Sequence, residues 1–133
     1  MPTDIRGLLT NYLATYNAAE WDGLANHVSP EYVHHSGEQI LDLAGFVQGA
    51  LWLRNGLPDF TVDAVDVLVD GDRAAMRFQA RGTHENSMLG ETPSKRTIVL
   101  DGITVYRFSD GVIAVDWEAM DEQQLRRQLQ GPQ

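Results

Sequence analysis

Apolar residues recur every three or four positions early in the chain and every second position later. Residues 4–19 set Ile5, Leu8, Leu9, Tyr12, Leu13 and Tyr16 at helical spacing and predict an amphipathic helix. Asp4 sits in its first turn, where the helix dipole favours a carboxylate. Residues 21–28, with Trp21, Leu24 and Val28, predict a second short helix stopped by Ser29-Pro30. Residues 31–35, Glu-Tyr-Val-His-His, read as a short strand. Residues 41–54 predict a third helix with Leu43, Phe46, Val47, Ala50 and Leu51 as its stripe, ended by Gly56 and Pro58.

The period then shortens to two. Residues 59–69 alternate valine with acidic residues, as a half-solvated strand does. Asp70-Gly71-Asp72 is a turn, and residues 73–85 return as a second strand of a hairpin. Residues 86–95 form a loop, and 96–108 a third long strand. Ser109-Asp110-Gly111 turns into a strand over 112–120, a short helix follows at 122–130, and Gln130 to Gln133 form a frayed tail. Helices first and a meander afterwards predict an α+β layer fold rather than βαβ units. One helical layer on one curved sheet leaves a hollow, and such hollows are common ligand sites.

Alternation also predicts faces. Met76, Phe78, Ala80, Gly82 and His84 share a face of the second long strand; Val99, Asp101, Ile103, Val105 and Arg107 share one on the third. Ile113, Val115, Trp117, Ala119 and Asp121 share one on the fourth. Each row is apolar with polar residues near an end. That fits a pocket wall with a few convergent polar groups, and equally a strand with solvated ends.

Bulk properties narrow the function. The 133 residues suit one domain spanning 1–133 and a sizeable core. With no cysteine, disulfides, thiolate metal sites and cysteine nucleophiles are excluded, and a reducing cytoplasm is the expected location. The opening Met1-Pro2-Thr3-Asp4-Ile5-Arg6 lacks the basic segment and apolar run of a signal peptide, and no stretch is apolar enough to span a membrane. Ten basic against nineteen acidic residues give a net charge of −9. An acidic surface argues against nucleic acid, anionic lipid or an acidic carrier protein as partner, so a free small-molecule substrate is expected. Metal is not expected: histidines 27, 34, 35 and 84 include no i, i+4 pair, and His84-Glu85-Asn86 lacks the second histidine of a zincin motif. No Gly-x-Gly-x-x-Gly phosphate loop and no serine or threonine nucleophile motif is present.

Several segments together resemble a known family. Glu31-Tyr32-Val33-His34-His35, Gly45-Phe46, Asp59-Phe60-Thr61-Val62 and Gly82-Thr83-His84 belong to the match. So do Gly90-Glu91-Thr92-Pro93-Ser94-Lys95, Asp101-Gly102-Ile103, the run Tyr106 to Ile113, Trp117, Asp121, Leu125 and Gln128-Leu129. The chain is similar to the SnoaL-like polyketide cyclases of the NTF2-like superfamily over nearly its whole length. The resemblance implies a cone-shaped α+β barrel with the ligand inside, and a homo-oligomer (dimer or tetramer) packed through the sheet. It implies intramolecular aldol-type ring closure without cofactor, with Asp121 as acid/base and His35 in place of the usual histidine. Relatives also open epoxides, close pyran rings, assist hydroxylation or only bind ligand. Two departures are visible: Glu91 to Lys95 stand where Pro-Pro-Thr-Gly-Lys is common, and Asp116 stands where a histidine often precedes the tryptophan.

The candidate catalytic residues are therefore Asp121, His84, His35 and Asp101. Asp121 has two readings: with Gln124 three residues on it is close to a capping box, and beside Trp117 and aliphatic walls it is a desolvated acid whose pKa should rise. His35 and His84 are core histidines or partners of the reacting oxygen; His34, one residue from His35, points the other way on a strand and is left out. Asp101 and Arg107 are members of a salt bridge across strands, or Asp101 is a second acid of the kind epoxide opening uses. Tyr16, Phe46, Trp52, Met76, Phe78, Trp117 and Arg107 are the expected substrate-binding residues. A non-catalytic ligand-binding or dimerisation domain remains the alternative from another class.

Overall fold

The computed structural model describes residues 4–131, so the start of the chain and the end of the expected tail, Pro132-Gln133, lie outside the described residues. Helix α1 runs Ile5–Asn17, its first turn closed by Asp4, which accepts from the Gly7 amide at 2.9 Å. Asp42 closes α2, Leu43–Gly56, in the same way through Gly45. Between them lie a 3-10 turn at Trp21–Asn26, strand β1 (Val28–Ser36) and the three-residue strand β2 (Gln39–Leu41). Then come β3 (Thr61–Asp70), β4 (Arg73–Thr83), β5 (Thr97–Ser109), β6 (Val112–Met120) and α3 (Glu122–Gln130). None of the described helices is long and apolar enough to cross a membrane.

The expected meander is present as β3 to β6, antiparallel throughout. The turn between β5 and β6 holds Asp110 at φ 53° and Gly111 at φ 80°, the left-handed pair that a two-residue hairpin needs. The sheet order is β2-β1-β6-β5-β4-β3, curved and not closed. Three features differ from expectation. The second helix is a single 3-10 stretch, because the chain must turn at His27 into β1, which already pairs with β6 at Val28. β2 is too short to show alternation, and it folds back on β1 through Gly37 at φ 58°. β1 lies parallel to β6, a pairing between distant segments that no local pattern announces.

Helix α1 lies across the concave face and buries Ile5, Leu9, Tyr12 and Tyr16 there. Its last residue, Asn17, pins the start of β3 by donating to Val62 O and accepting from Val62 N, both at 2.9 Å. The opposite rows of the sheet complete the core: Ala74, Met76, Phe78 and Ala80 on β4, Ile98, Leu100, Tyr106 and Phe108 on β5. The expected face of β4 is thus correct and that of β5 is inverted. Val99, Ile103 and Val105 make the outer side of β5 apolar as well, so polarity alone did not distinguish its faces.

On β6 the parity changes partway. Arg107 pairs with Val115 but Phe108 pairs with Ile113, leaving Ala114 as an extra residue. Ile113 faces the core, and after the bulge so do Asp116, Glu118 and Met120. Val115, Trp117 and Ala119 fall on the outer face, against the expected row.

Candidate active site

Between the concave sheet and the helices lies a cavity of about 370 Å³. The rings of Tyr12, Tyr16, Phe46, Phe60, Phe78 and Tyr106 line it, together with Met76 and Trp52. Tyr16, Phe46, Trp52, Met76 and Phe78 therefore stand where a pocket wall was expected. His34, Asp116 and Glu118 supply polar groups inside it, and Glu122 and Arg126 of α3 also line it.

Parallel pairing of β1 with β6 sets His34 directly beside Asp116. His34 Nδ1 lies 2.5 Å from Asp116 Oδ1. With Asp116 as the acceptor, Nδ1 carries the proton and Nε2 is left facing the cavity. Tyr32 donates its hydroxyl to Asp116 Oδ2 at 2.7 Å. The imidazole is held edge-on by Phe46, ring centres 4.9 Å apart. His34 Nε2 faces Glu118 Oε2 at 4.0 Å. That is too long for a hydrogen bond, and it leaves space for an oxygen atom to sit about 2.8 Å from both, off the line joining them.

Both groups titrate away from their ordinary ranges. Burial lifts the Glu118 carboxyl, the charge of Asp116 lifts it further, and a charged His34 pulls it back only in part. For His34, burial opposes the charged form, but the hydrogen bond to Asp116 and the charges of Asp116 and Glu118 outweigh it, and its pKa is raised. The site is thus set for an imidazolium beside a carboxyl group poised nearer neutrality. Tyr12, Tyr16 and Tyr106 are held neutral, chiefly by burial.

The residues expected to be catalytic are not brought together. Asp121 is exposed and accepts from the Gln124 amide at 3.0 Å as the N-cap of α3, outside the cavity lining. Asp101 is also exposed and bonds to Gln124 Nε2 at 3.1 Å. Beyond the end of β6, Gln124 and Gln128 of α3 take over pairing along β5. Gln124 Oε1 accepts from Asp101 N, and Gln128 brackets the backbone of Val99. His35 points to the outer face and stacks on Trp117, centres 5.6 Å apart and planes 11° apart. Arg107 is on that outer face too, opposite Arg73, whose guanidinium lies over the Trp117 ring. His84 is fully buried beneath the 86–95 loop, with Nδ1 3.0 Å from Ser94 Oγ, and it does not line the cavity.

Sequence reasoning did not select His34, Asp116 or Glu118, which supply polar groups to the cavity lining. His35, selected over its neighbour, lies on the side of the strand away from the cavity, and His34 lies on the side that lines it. Asp116 and Glu118 share a parity, a signal that was available, but the bulge at Ala114 hid that this parity faces inward. Among the described residues no three His, Asp or Glu side chains converge as a metal-binding group.

A helical layer over an open, curved sheet is the fold of the NTF2-like class. Within that class the chain belongs to the SnoaL-like polyketide cyclase family, whose pattern it matches over residues 6–129. It is 26% identical over 121 residues to aklanonic acid methyl ester cyclase AcmA of Streptomyces galilaeus, an alignment covering 88% of this chain and 84% of that one. Among solved structures, AclR of Streptomyces galilaeus superposes with a TM-score of 0.87 at 22% identity, covering 98% of each chain. TsrD of Streptomyces laurentii gives 0.80 at 27% identity, covering 94% of this chain and 93% of that one. Family membership and the curated relative support a cyclase role.

Proposed function

We propose that the protein closes a ring on an apolar, oxygenated, polyketide-like molecule by acid–base catalysis, with Glu118 and His34 as the working pair. The observation carrying this reading is their placement: two ionisable groups 4.0 Å apart, facing one another inside an aromatic cavity, one of them backed by a buried carboxylate. The Glu118 carboxylate takes a proton from a carbon next to a carbonyl. The resulting enolate carbon attacks a second carbonyl carbon of the same molecule, forming the C–C bond as the carbonyl π bond opens to an alkoxide. His34 Nε2–H donates to that oxygen, and Glu118 then returns its proton to His34. Only protons pass between protein and substrate, so the step needs no redox group, and product and substrate have the same mass. Holding both carbons in one cavity supplies the proximity the reaction needs. Asp121, in this reading, keeps the helix cap and takes no part in the chemistry.

Aklanonic acid methyl ester, the compound in the relative's name, is the first substrate to try. Mass-balanced conversion by the wild type, and loss of turnover by about 10²–10⁴-fold in Glu118→Gln, is the expected result. A folded Glu118→Gln protein with full turnover on any substrate the wild type cyclises refutes the assignment.

The outer sheet face supports a homo-oligomer. Trp117 sits opposite Val105, and Ile103 opposite Ala119, in the middle of the sheet. Ile103 is 50% and Trp117 38% exposed. The nearby Arg73, Arg77, Asp66 and Asp101 are of mixed sign, which a two-fold axis turns into self-complementarity.

A further inference from the structure

Tyr32 is 3% exposed and does not line the cavity, yet its hydroxyl reaches Asp116 Oδ2 at 2.7 Å. Asp116, itself 1% exposed, has its other oxygen on His34 Nδ1. A buried carboxylate with a single partner can rotate away from it; one with a donor on each oxygen is held in place. We propose that Tyr32 is a positioning residue of this site, which fixes Asp116 as the orienting carboxylate of His34 and limits how tightly that carboxylate holds the imidazolium. The inference rests on the reading of His34 as the proton donor.

The sign follows from competition for one carboxylate. The tyrosine hydroxyl shares the negative charge that His34 would otherwise have to itself. Without it, the Asp116–His34 pair binds its shared proton more tightly, and the macroscopic midpoint rises. The other groups around His34 do not replace this donor. Glu118, on the same strand as Asp116, is a carboxyl group 4.0 Å from Nε2. Tyr12 and Tyr16 of α1 and Tyr106 of β5 are neutral phenols. From α2 comes the Phe46 ring, while Arg54 is turned onto the end of α1 through Tyr16 O and Asn17 O. β4 contributes Met76 and Phe78, and α3 contributes Glu122 and Arg126 to the lining.

Histidine titration by NMR tests the relay in the intact protein, with the His34 signal assigned by its absence in His34→Gln. In Tyr32→Phe the His34 midpoint should rise by about one unit. In the Asp116→Asn background the same change should shift it no further, a coupling that a packing effect does not produce. On a substrate the wild type turns over, kcat should fall about tenfold with KM within about twofold. A midpoint unmoved by Tyr32→Phe, or moved equally in both backgrounds, overturns the proposal. If Tyr32→Phe does not fold, 3-fluorotyrosine placed at Tyr32 alone keeps the ring and donates more strongly. The midpoint should then fall, and one that stays put overturns the proposal as well. A fully active Glu118→Gln protein would remove the catalytic reading, while the effect of Tyr32→Phe on the His34 midpoint, measured with Glu118 in place, is read independently of it.

Discussion

His34 and Asp116 lie opposite one another on the parallel pair β1–β6, and their side chains meet at 2.5 Å inside the cavity. Register therefore does the work of placing the imidazole: Asp116 Oδ1 fixes its Nδ1 proton, and Nε2 is left facing Glu118. The functional consequences can be measured.

Turnover should follow a bell in pH. Glu118 must be ionised to take a proton, so the acid limb lies above the usual glutamate range, where burial has moved it. His34 must be protonated to give one, so the alkaline limb lies above the usual histidine range. A kcat/KM profile measured from pH 4 to 10 checks both limbs. A flat profile would exclude the pair as acid and base.

Glu118 should cost stability where it is ionised. Its pKa is raised in the folded protein, so its favourable contribution is present at low pH and is lost as pH rises through the folded value. Glu118→Gln should therefore be more stable than wild type at pH 8, by about 1 kcal/mol, and nearly equal to it at pH 5. Urea unfolding at the two pH values reads the difference. A variant that is less stable at pH 8 contradicts the argument.

Asp121 separates capping from catalysis. Asparagine caps a helix as well as aspartate does, so Asp121→Asn should retain stability and turnover within about twofold. Asp121→Ala should lose about 1 kcal/mol in chemical denaturation. If Asp121→Asn lost activity as deeply as Glu118→Gln, the acid role would return to Asp121.

Gly102 guards the volume of the cavity. A Cβ at this position would press on the Phe78 ring and on Ala119 O at 2.9 Å, and Phe78 forms part of the wall. Gly102→Ala should cost about 1–3 kcal/mol by overpacking and push the ring inward, raising KM more than it lowers kcat. Unchanged stability and KM would mean that the wall yields freely.

The outer face should hold a second copy. Ile103→Lys puts a charge at the centre of the exposed apolar patch and should convert the assembly to monomer in analytical ultracentrifugation, with the far-UV spectrum unchanged. A wild-type protein that sediments as a monomer at all accessible concentrations removes this proposal.

Much of the fold was legible because its signals are local. The stripe Ile5, Leu9, Tyr12 and Tyr16 needs only the helical period to appear, and Asp70-Gly71-Asp72 and Asp110-Gly111 mark their turns by backbone chemistry alone. The inner row Met76, Phe78 and Ala80 could be read because the outer side of β4 carries Arg77, Gln79 and Arg81. β5 lacked that contrast, since Val99, Ile103 and Val105 line its outer side.

What the chain settled on its own was the order of its long helices and strands and the aromatic supply for a cavity wall. Which acid enters the cavity was decided in three dimensions. One extra residue at Ala114 turned Asp116 and Glu118 inward and Trp117 outward, and a parallel pairing between segments some eighty positions apart chose His34 over His35. Side-chain direction on a strand depends on register with its neighbours, and register is fixed by long-range pairing and burial, which a local pattern of polar and apolar residues does not contain.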